Sequence, residues 1–282
     1  MITANHLQKY YNGFSLDCTM RLKPGYITGL IGRNGAGKST TFKILLGIDH
    51  FDGGEATLLG KPINMLTAED RQYIGTVLSD STFNNQLTIK QIISILENTY
   101  TDFDKGFFLS QVQQANLPMK EKIKTFSTGM KAKLKVFIAI SHHAKILILD
   151  EPTAGLDVIA RDEILDLLRA YMESDEDRAI LISSHISSDL ESLCDDLYMI
   201  HNGRIIFHEE TDVLLSDYAI LKVNDTQFHT LDHSHICTTK KENYGYSCLT
   251  KEKQFYQENY PDIVIERSNI DDIFTMMIRG EQ

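Results

Sequence analysis

The stretch GRNGAGKST, Gly32 to Thr40, has the residue types and spacing of a phosphate-binding loop. Its glycines let backbone N–H groups close around phosphate oxygens, while Lys38 can reach the β- and γ-phosphates of a nucleotide and the Ser39 hydroxyl can ligate Mg²⁺. The loop lies between a predicted strand, YITGLIG, and a predicted helix, KSTTFKILLG, which is the context that this motif requires. The sequence therefore predicts that ATP or GTP binds here. The expected contacts of the loop with the nucleotide come from Asn34, Gly35, Ala36, Gly37, Lys38, Ser39 and Thr40.

Two acidic residues and a histidine end two further apolar runs. Asp150 and Glu151 end ILILDEP, where the chain leaves a sheet at its carboxyl edge. One carboxylate can hold Mg²⁺ through water, and the next can polarise the water that attacks the γ-phosphate. His185 ends LISSH and can serve as donor or acceptor for the γ-phosphate or its water. Downstream of a phosphate-binding loop, these residues indicate nucleotide hydrolysis.

Lysines gather around a small polar turn in KTFSTGMKAKLK, residues 124–135, although the chain has 39 acidic and only 28 basic residues. An apolar helix follows the turn and can be capped by Ser127. Unpaired backbone N–H groups and the positive end of the helix dipole both favour an anion at such a position. The sequence predicts an anion site at this Ser-Thr-Gly turn, rimmed by Lys131, Lys133 and Lys135.

The elements that position these residues alternate between strands and helices. GFSLDCTMRL alternates apolar and polar residues and predicts an antiparallel hairpin before YITGLIG. KILILD and AILISSH are continuous apolar runs, typical of parallel strands buried on both faces, and the helix DEILDLLRAYM connects them. Residues 88–141 are mostly helical, and TIKQIISIL opens with a Thr-x-x-Gln capping box.

Beyond AILISSH the pattern predicts one more helix, then a hairpin and a small appended unit. The helix would carry Leu190, Leu193, Cys194 and Leu197 on one face, and the hairpin would turn at an Asn-Gly pair, residues 202–203. After residue 216, AILKVNDTQF, YGYSCLT and DIVIER are predicted as strands, and SNIDDIFTMMI as a capped closing helix.

Composition excludes several classes of protein. A formal charge of −11 gives no general attraction for nucleic acid, so we expect no nucleic-acid partner. The four cysteines form no C-x-x-C pair, which argues against a zinc knuckle or a disulfide framework and favours a reducing cytoplasm. No apolar run is long enough to span a bilayer, so the chain is expected to be soluble. His229, His233 and His235 suggest a metal site, but a solvated loop is the favoured interpretation.

The motifs GRNGAGKST, FSTGM, ILILDEP, AGLD and SSH, in that order, resemble the nucleotide-binding cassette of ABC ATPases. The resemblance covers residues 1–213, with a helical insert at about 84–142, and leaves 214–282 as a small accessory domain. It implies an α/β fold: a P-loop NTPase cassette with an antiparallel β subdomain and a helical insert, plus a small α+β C-terminal extension.

The resemblance also implies roles for individual residues. Tyr11 would stack on adenine, with Tyr10 as the less favoured choice. Ser127 and Gly129 would bind the γ-phosphate of ATP held by the P-loop of a second cassette, and Asp157 would lie at that same interface. The anion at the Ser-Thr-Gly turn is then the γ-phosphate of a partner, which implies that activity requires dimerisation.

Three departures from the family pattern stand out. The signature turn usually reads Ser-Gly-Gly-Gln, whereas this chain has Thr128 and Met130, a form associated with exporter cassettes. Where the family places a glutamine that touches Mg²⁺ and the membrane subunit, this chain has Ser79, followed by Asp80. Ser79 is therefore a candidate metal ligand with Ser39 and Asp150, and water or Asp80 is the alternative. Asn12 replaces a glycine after the adenine-stacking aromatic, which is a minor change.

The leading hypothesis is the ATP-hydrolysing subunit of a membrane ABC exporter, using ATP and Mg²⁺. It would pair with an identical or a sister cassette and act on separate integral-membrane permease subunits, at the inner face of the cell membrane. The alternative is a soluble ABC-type ATP switch with a non-membrane partner, motivated by Ser79. A P-loop kinase is disfavoured because FSTGM and ILILDEP would then have no explanation.

Overall fold

A computed structural model describes residues 1–81 and 84–280 of the chain. Its larger sheet has ten strands, which pair in the spatial order β5-β4-β1-β2-β10-β9-β3-β8-β7-β6. The strands are β1 (Ile2–Tyr11), β2 (Phe14–Leu22), β3 (Ile27–Ile31), β4 (Gly53–Leu58), β5 (Lys61–Pro62), β6 (Ile74–Val77), β7 (Ile146–Asp150), β8 (Ala179–Ser183), β9 (Asp196–His201) and β10 (Arg204–Glu210).

The sheet combines a parallel half and an antiparallel half. Strands β9, β3, β8, β7 and β6 run parallel, and β3, β7 and β8 are buried along their whole length. This explains why their sequences are continuous apolar runs. The β1–β2 hairpin and β4 form the antiparallel half. The predicted site residues that follow β3, β6, β7 and β8 therefore meet at one edge, the carboxyl ends of the parallel strands.

Eight helices flank the larger sheet in the described part of the chain. They are α1 (Lys38–Leu45), α2 (Ala68–Arg71), α3 (Ile89–Thr99), α4 (Lys105–Gln114), α5 (Thr128–Ile140), α6 (Val158–Glu173), α7 (Ser187–Leu193) and α8 (Thr211–Ser216). Helices α3 to α5 share an apolar cluster of their own, which includes Phe108 and Val112. The predicted capping box of Thr88 and Gln91 at the start of α3 is confirmed.

The helix predicted to carry Leu190 to Leu197 on one face was too long. Helix α7 ends at Leu193, Cys194 is extended, and Leu197 lies in β9. The apolar spacing was misleading because these residues are buried in one cluster, whether they come from the helix or from the strand. The predicted hairpin at Asn202 and the following glycine is confirmed between β9 and β10.

The accessory domain contains a second, four-stranded antiparallel sheet in the order β12-β13-β11-β14. Its elements are β11 (Ala219–Val223), α9 (Asp225–Thr230), β12 (Ile236–Glu242), β13 (Gly245–Thr250), α10 (Lys253–Asn259), β14 (Val264–Arg267) and α11 (Ile270–Arg279). The chain order βαββαβ with this strand order is the split βαβ arrangement.

Sequence patterns described this domain only in part. The end of AILKVNDTQF, predicted as a strand, is helix α9, because Asn224 and Gln227 form a capping box there. Strand β12 and helix α10 were not predicted, whereas the capped closing helix is confirmed as α11, which begins with a capping box of Asn269 and Asp272.

The two sheets share part of their core. Tyr218, Ile220 and Phe274 of the accessory domain belong to the same buried cluster as Leu190 and Leu193 of α7. Helix α11 packs against both α7 and β12. The accessory domain is therefore held to the larger sheet next to the segment that carries His185.

Candidate functional site

The phosphate-binding loop is shaped by glycines and supported by the β9–β10 hairpin. Gly35 and Gly37 have φ angles of +80° and +117°, which favour glycine, and α1 begins directly after the loop. The turn residue Gly203 donates its N–H to the Ala36 carbonyl at 2.9 Å. The buried Lys38 Nζ donates to the Gly32 carbonyl at 2.7 Å. The structure thus places the lysine inside the loop, where phosphate oxygens would bind.

Asp150 is buried at the end of β7 and accepts three serine hydroxyl hydrogen bonds. Ser39 and Ser79 both donate to Oδ2, at 2.7 and 2.6 Å, and Ser183 donates to Oδ1 at 2.6 Å. A carboxylate and two hydroxyls form an all-oxygen donor set, which fits Mg²⁺. Ser79 therefore lies within hydrogen-bonding distance of Asp150, and its role as a metal ligand stays a prediction.

The residue after Ser79 points to a different partner. Asp80 lies 2.5 Å from Lys43 Nζ, and this hydrogen bond raises the pKa of Lys43. The contact with Asp150 therefore comes from Ser79 and not from Asp80. A cavity of about 340 Å³ borders Ser79 and Glu151.

The Glu151 carboxylate lies between Lys38 of the phosphate-binding loop and His185, which follows β8. Its Oε1 lies 3.4 Å from Lys38 Nζ, while Oε2 accepts from the His185 N–H at 3.1 Å and lies 2.5 Å from His185 Nδ1. Its φ of +53° is strained for a residue with a side chain, and its N–H is bound by Ser183. The three predicted catalytic residues are thus adjacent, and Glu151 can accept a proton from water near the loop.

An open cavity of about 480 Å³ connects these groups with an aromatic wall. It is lined by Tyr11, Phe14, Asn34, Gly35, Gly37, Lys38, Ser39, Thr40, Ser79, Glu151 and His185, among others. Tyr11 donates a hydrogen bond to Asp49, and this bond, together with desolvation, raises the pKa of Tyr11 to about 12. Tyr10 is exposed and does not line this cavity. Of the two tyrosines, Tyr11 is the one that lines this cavity, and its contact with a base stays a prediction.

The signature turn lies next to the site, because Thr128 lines the 340 Å³ cavity that also borders Ser79 and Glu151. Ser127 caps α5 by accepting the Met130 N–H at 3.2 Å, and Asp157 caps α6 by accepting the Ala160 N–H at 2.9 Å. A Cβ at Gly129 would lie 3.8 Å from Ala160, so the two helix starts are neighbours. In the described chain, Ser127, Gly129 and Asp157 do not line the cavity of the P-loop, and Ser127 is exposed.

The sequence predicted that the lysines of α5 together rim the turn, but two of these lysines have partners elsewhere. Lys133 forms an ion pair with Glu163 of α6. Lys135 donates to the Ser81 carbonyl at 2.5 Å, and burial lowers its pKa. Sequence reasoning missed these partners because they lie on distant segments.

Sequence reasoning also missed Ser183, which bonds both Asp150 and the backbone of Glu151. The two serines that precede His185 in LISSH were the only sequence feature that could have indicated this role. His229 lies in helix α9 and not in a loop as predicted, whereas His233 and His235 lie between α9 and β12. No group of three or more His, Cys, Asp or Glu suited to a metal occurs in residues 1–81 and 84–280. Within the same residues, no helix combines the length and apolarity that crossing a membrane requires.

Comparisons with known proteins agree with this geometry. A family model described as ABC transporter matches residues 16–154. The lantibiotic transport ATP-binding protein SrtF of Streptococcus pyogenes is 32% identical over 221 residues, covering 75% of this chain and 92% of SrtF. The ABC transporter ATP-binding protein YtrB of Bacillus subtilis is 26% identical over 292 residues, covering 100% and 99%. A dimeric ATP-binding cassette, solved in a post-hydrolysis state with ADP and Pi, superimposes with a TM-score of 0.66 at 20% identity, covering 75% of this chain and 99% of that one.

Proposed function

Since the chain belongs to the ABC transporter family and is an ATP-binding, ATP-hydrolysing cassette, we propose that it powers a membrane exporter as a separate subunit. In this proposal, ATP binding closes two cassettes head to tail, and hydrolysis reopens them. The partner cassette is identical or a sister chain. Separate integral-membrane permease subunits hold the pair at the inner face of the cell membrane and use its motion.

One observation carries the proposal. The signature turn presents a helix start at which Ser127 is exposed, yet in the part of the chain that the structure describes neither Ser127 nor Gly129 lines the cavity of its own P-loop. A helix start of this kind favours an anion. The γ-phosphate of a second cassette supplies that anion. The printed name of SrtF, a lantibiotic transport protein, supports an export role.

Each residue of the site has a proposed task. Lys38 binds the β- and γ-phosphates, and Tyr11 packs on the base. Glu151 takes a proton from the attacking water, while His185 holds Glu151 and contacts the γ-phosphate. Asp150, Ser39 and Ser79 would hold Mg²⁺, which when bound neutralises charge that develops on the phosphates.

The first test is light scattering on the Glu151→Gln variant with and without Mg-ATP. This variant keeps the phosphate-binding loop but lacks the proton acceptor, so we expect ATP to shift it from monomer to dimer. Ser127→Arg added to it should abolish the shift while ATP still binds. A protein that binds ATP and stays monomeric would exclude a self-sufficient homodimer and leave a sister cassette or the permease as the required partner.

Membrane coupling needs its own test because Ser79 departs from the family's glutamine. An affinity-tagged chain should recover an integral-membrane protein from detergent-solubilised membranes, and ATP should change the amount recovered. Recovery of soluble partners alone would favour the soluble ATP switch.

A further inference from the structure

Two hydrogen bonds join the accessory domain to the segment that carries His185. Helix α7 begins two residues after His185, and its first residue, Ser187, donates through Oγ to Asp271 Oδ2 at 2.7 Å. One turn later, Glu191 Oε1 accepts the backbone N–H of Ile270 at 3.0 Å. Both acceptor–donor pairs involve the first turn of α11. The first turn of α11 is therefore hydrogen-bonded to two positions of α7, Ser187 and Glu191.

Apolar packing accompanies these bonds. Helices α7 and α11 contribute to one buried apolar cluster. It contains Leu190 and Leu193 from α7, and Ile270, Ile273 and Phe274 from α11. Close-packed side chains transmit displacements instead of absorbing them. A movement of α11 would therefore move α7 with it.

The histidine itself has open space beside it. Its side chain is 53% exposed, and a cavity of about 680 Å³ lies between His185, the outer flank of the phosphate-binding loop at Arg33, and α11 at Phe274. In the described chain, the side-chain hydrogen bond of His185 goes to Glu151. Because packing does not enclose the imidazole, its position depends on the segment that carries it.

We propose that Asp271 is a positioning residue for ATP hydrolysis, which holds His185 against Glu151 by way of Ser187. The accessory domain thereby sets the rate of hydrolysis. This inference rests on the proposed roles of His185 and Glu151. In the described part of the chain, Asp271 does not line the cavity that Tyr11 and Lys38 line, so we expect it to control turnover and not ATP affinity.

The test compares three single substitutions in the 282-residue chain and one double substitution. Asp271→Ala removes the acceptor of the Ser187 bond and should lower kcat about tenfold with an unchanged ATP dissociation constant. Asp271→Asn keeps an acceptor oxygen and should restore most of kcat. Thr275→Ala, one turn further along α11 and exposed, is the matched control and should match the original chain. In a His185→Ala background, Asp271→Ala should cause no further loss.

Hydrogen exchange gives a readout that does not depend on turnover. Amides of residues 185–190 should exchange several-fold faster in Asp271→Ala than in Asp271→Asn, while those of α1 stay unchanged. Equal kcat and equal exchange in Asp271→Ala and Thr275→Ala would overturn the inference, as would an equal loss of ATP affinity and kcat. A chain that hydrolyses no ATP without a partner would count against the homodimer of the proposed function, and the exchange rates would still decide on Asp271.

Discussion

Asp150 shows how single hydroxyl groups set up a charged site. Its carboxylate is buried, and the three serine hydroxyls replace the water that it gives up on burial. Ser79 is one of the three and stands where the resemblance to the family leads us to expect a glutamine. Its hydroxyl donates to the Asp150 carboxylate at 2.6 Å, and we propose that this bond orients the carboxylate.

Replacing Ser79 by alanine should therefore weaken Mg²⁺-dependent ATP binding. Loss of one hydrogen bond to a charged group corresponds to about a tenfold rise in the dissociation constant. Titration of a fluorescent ATP analogue at several Mg²⁺ concentrations measures it. Ser81→Ala is the control, because that hydroxyl bonds the Leu78 carbonyl instead. Equal affinities for both variants would show that Ser79 does not support the metal site.

Tyr11 and Tyr10 can be separated by a second set of substitutions. Stacking of a base on an aromatic ring is worth about 1–3 kcal/mol, so Tyr11→Ala should weaken ATP binding about 10-fold or more. Tyr11→Phe removes the hydrogen bond to Asp49 but keeps the ring and should bind nearly as well. Tyr10→Ala should have little effect. A larger loss in Tyr10→Ala than in Tyr11→Ala would reverse the assignment.

At the scale of elements, the β9–β10 turn supports the phosphate-binding loop. Gly203 has φ +77°, and a Cβ there would lie 1.8 Å from the Ser15 carbonyl oxygen. The same residue bonds Ala36 in the loop and, through its carbonyl, the Asp17 N–H. The turn thus fixes β2, β10 and the loop together.

Gly203→Ala should lower the free energy of unfolding by about 3 kcal/mol or more, because backbone must move to admit the methyl group. Gly60→Ala is a matched control, with φ +78° and nothing within 4 Å, and should lose only about 1–2 kcal/mol from the left-handed conformation. Urea denaturation of both variants measures the difference. Equal losses would mean that the turn tolerates displacement from β2.

The helical insert is attached through a buried histidine. His142 Nε2 lies 3.3 Å from the Ile74 carbonyl of β6, and its ring stacks on Tyr100 at 3.9 Å. Burial lowers the pKa of His142 below its usual value of about 6.5. The unfolded chain therefore binds this proton more readily than the folded chain.

This shift gives a stabilisation that is fully present above about pH 6.5 and is lost as the pH falls through the folded-state pKa of His142. We expect urea denaturation to show a lower free energy of unfolding at pH 5.5 than at pH 7.5. His142→Phe keeps the stacking and should reduce this difference, whereas His143→Asn, at an exposed neighbouring position, should retain it. An unchanged difference in His142→Phe would assign it to other groups.

Local patterns were enough to predict the phosphate-binding loop, the strand before Asp150 and the caps of α3, α5 and α11, because each depends on residues within one short segment. The bonds of Ser183 to Asp150 and of Ser187 to Asp271 join residues 33 and 84 positions apart, and no local pattern contains them. The helix predicted through Leu197 was wrong because apolar spacing does not report where backbone pairing with β3 begins.

On the scale of the whole molecule, the shared core argues for joint unfolding. Tyr218, Ile220 and Phe274 of the accessory domain and Leu190 of α7 lie in one buried cluster. Separation of the two sheets would expose this apolar surface to water. The proposed boundary near residue 213 divides two sheets and not two independent cores.

Calorimetry should therefore show one cooperative transition for the chain. Phe274→Ala should cost about 3 kcal/mol and lower the midpoint of that single transition. Two separate transitions, with only one of them moved by Phe274→Ala, would show that the accessory domain unfolds independently.

Through the hydrogen bond between Ser187 and Asp271, the segment that carries His185 also influences α11. Coupling free energy between two sites is reciprocal, so a segment that responds to α11 must also make α11 respond to it. When His185 shifts between ATP-bound and hydrolysed states, the accessory domain would shift too. A partner that binds this domain would then bind with an affinity that depends on which nucleotide the cassette holds. The C-terminal domain would thus signal to that partner whether ATP has been hydrolysed.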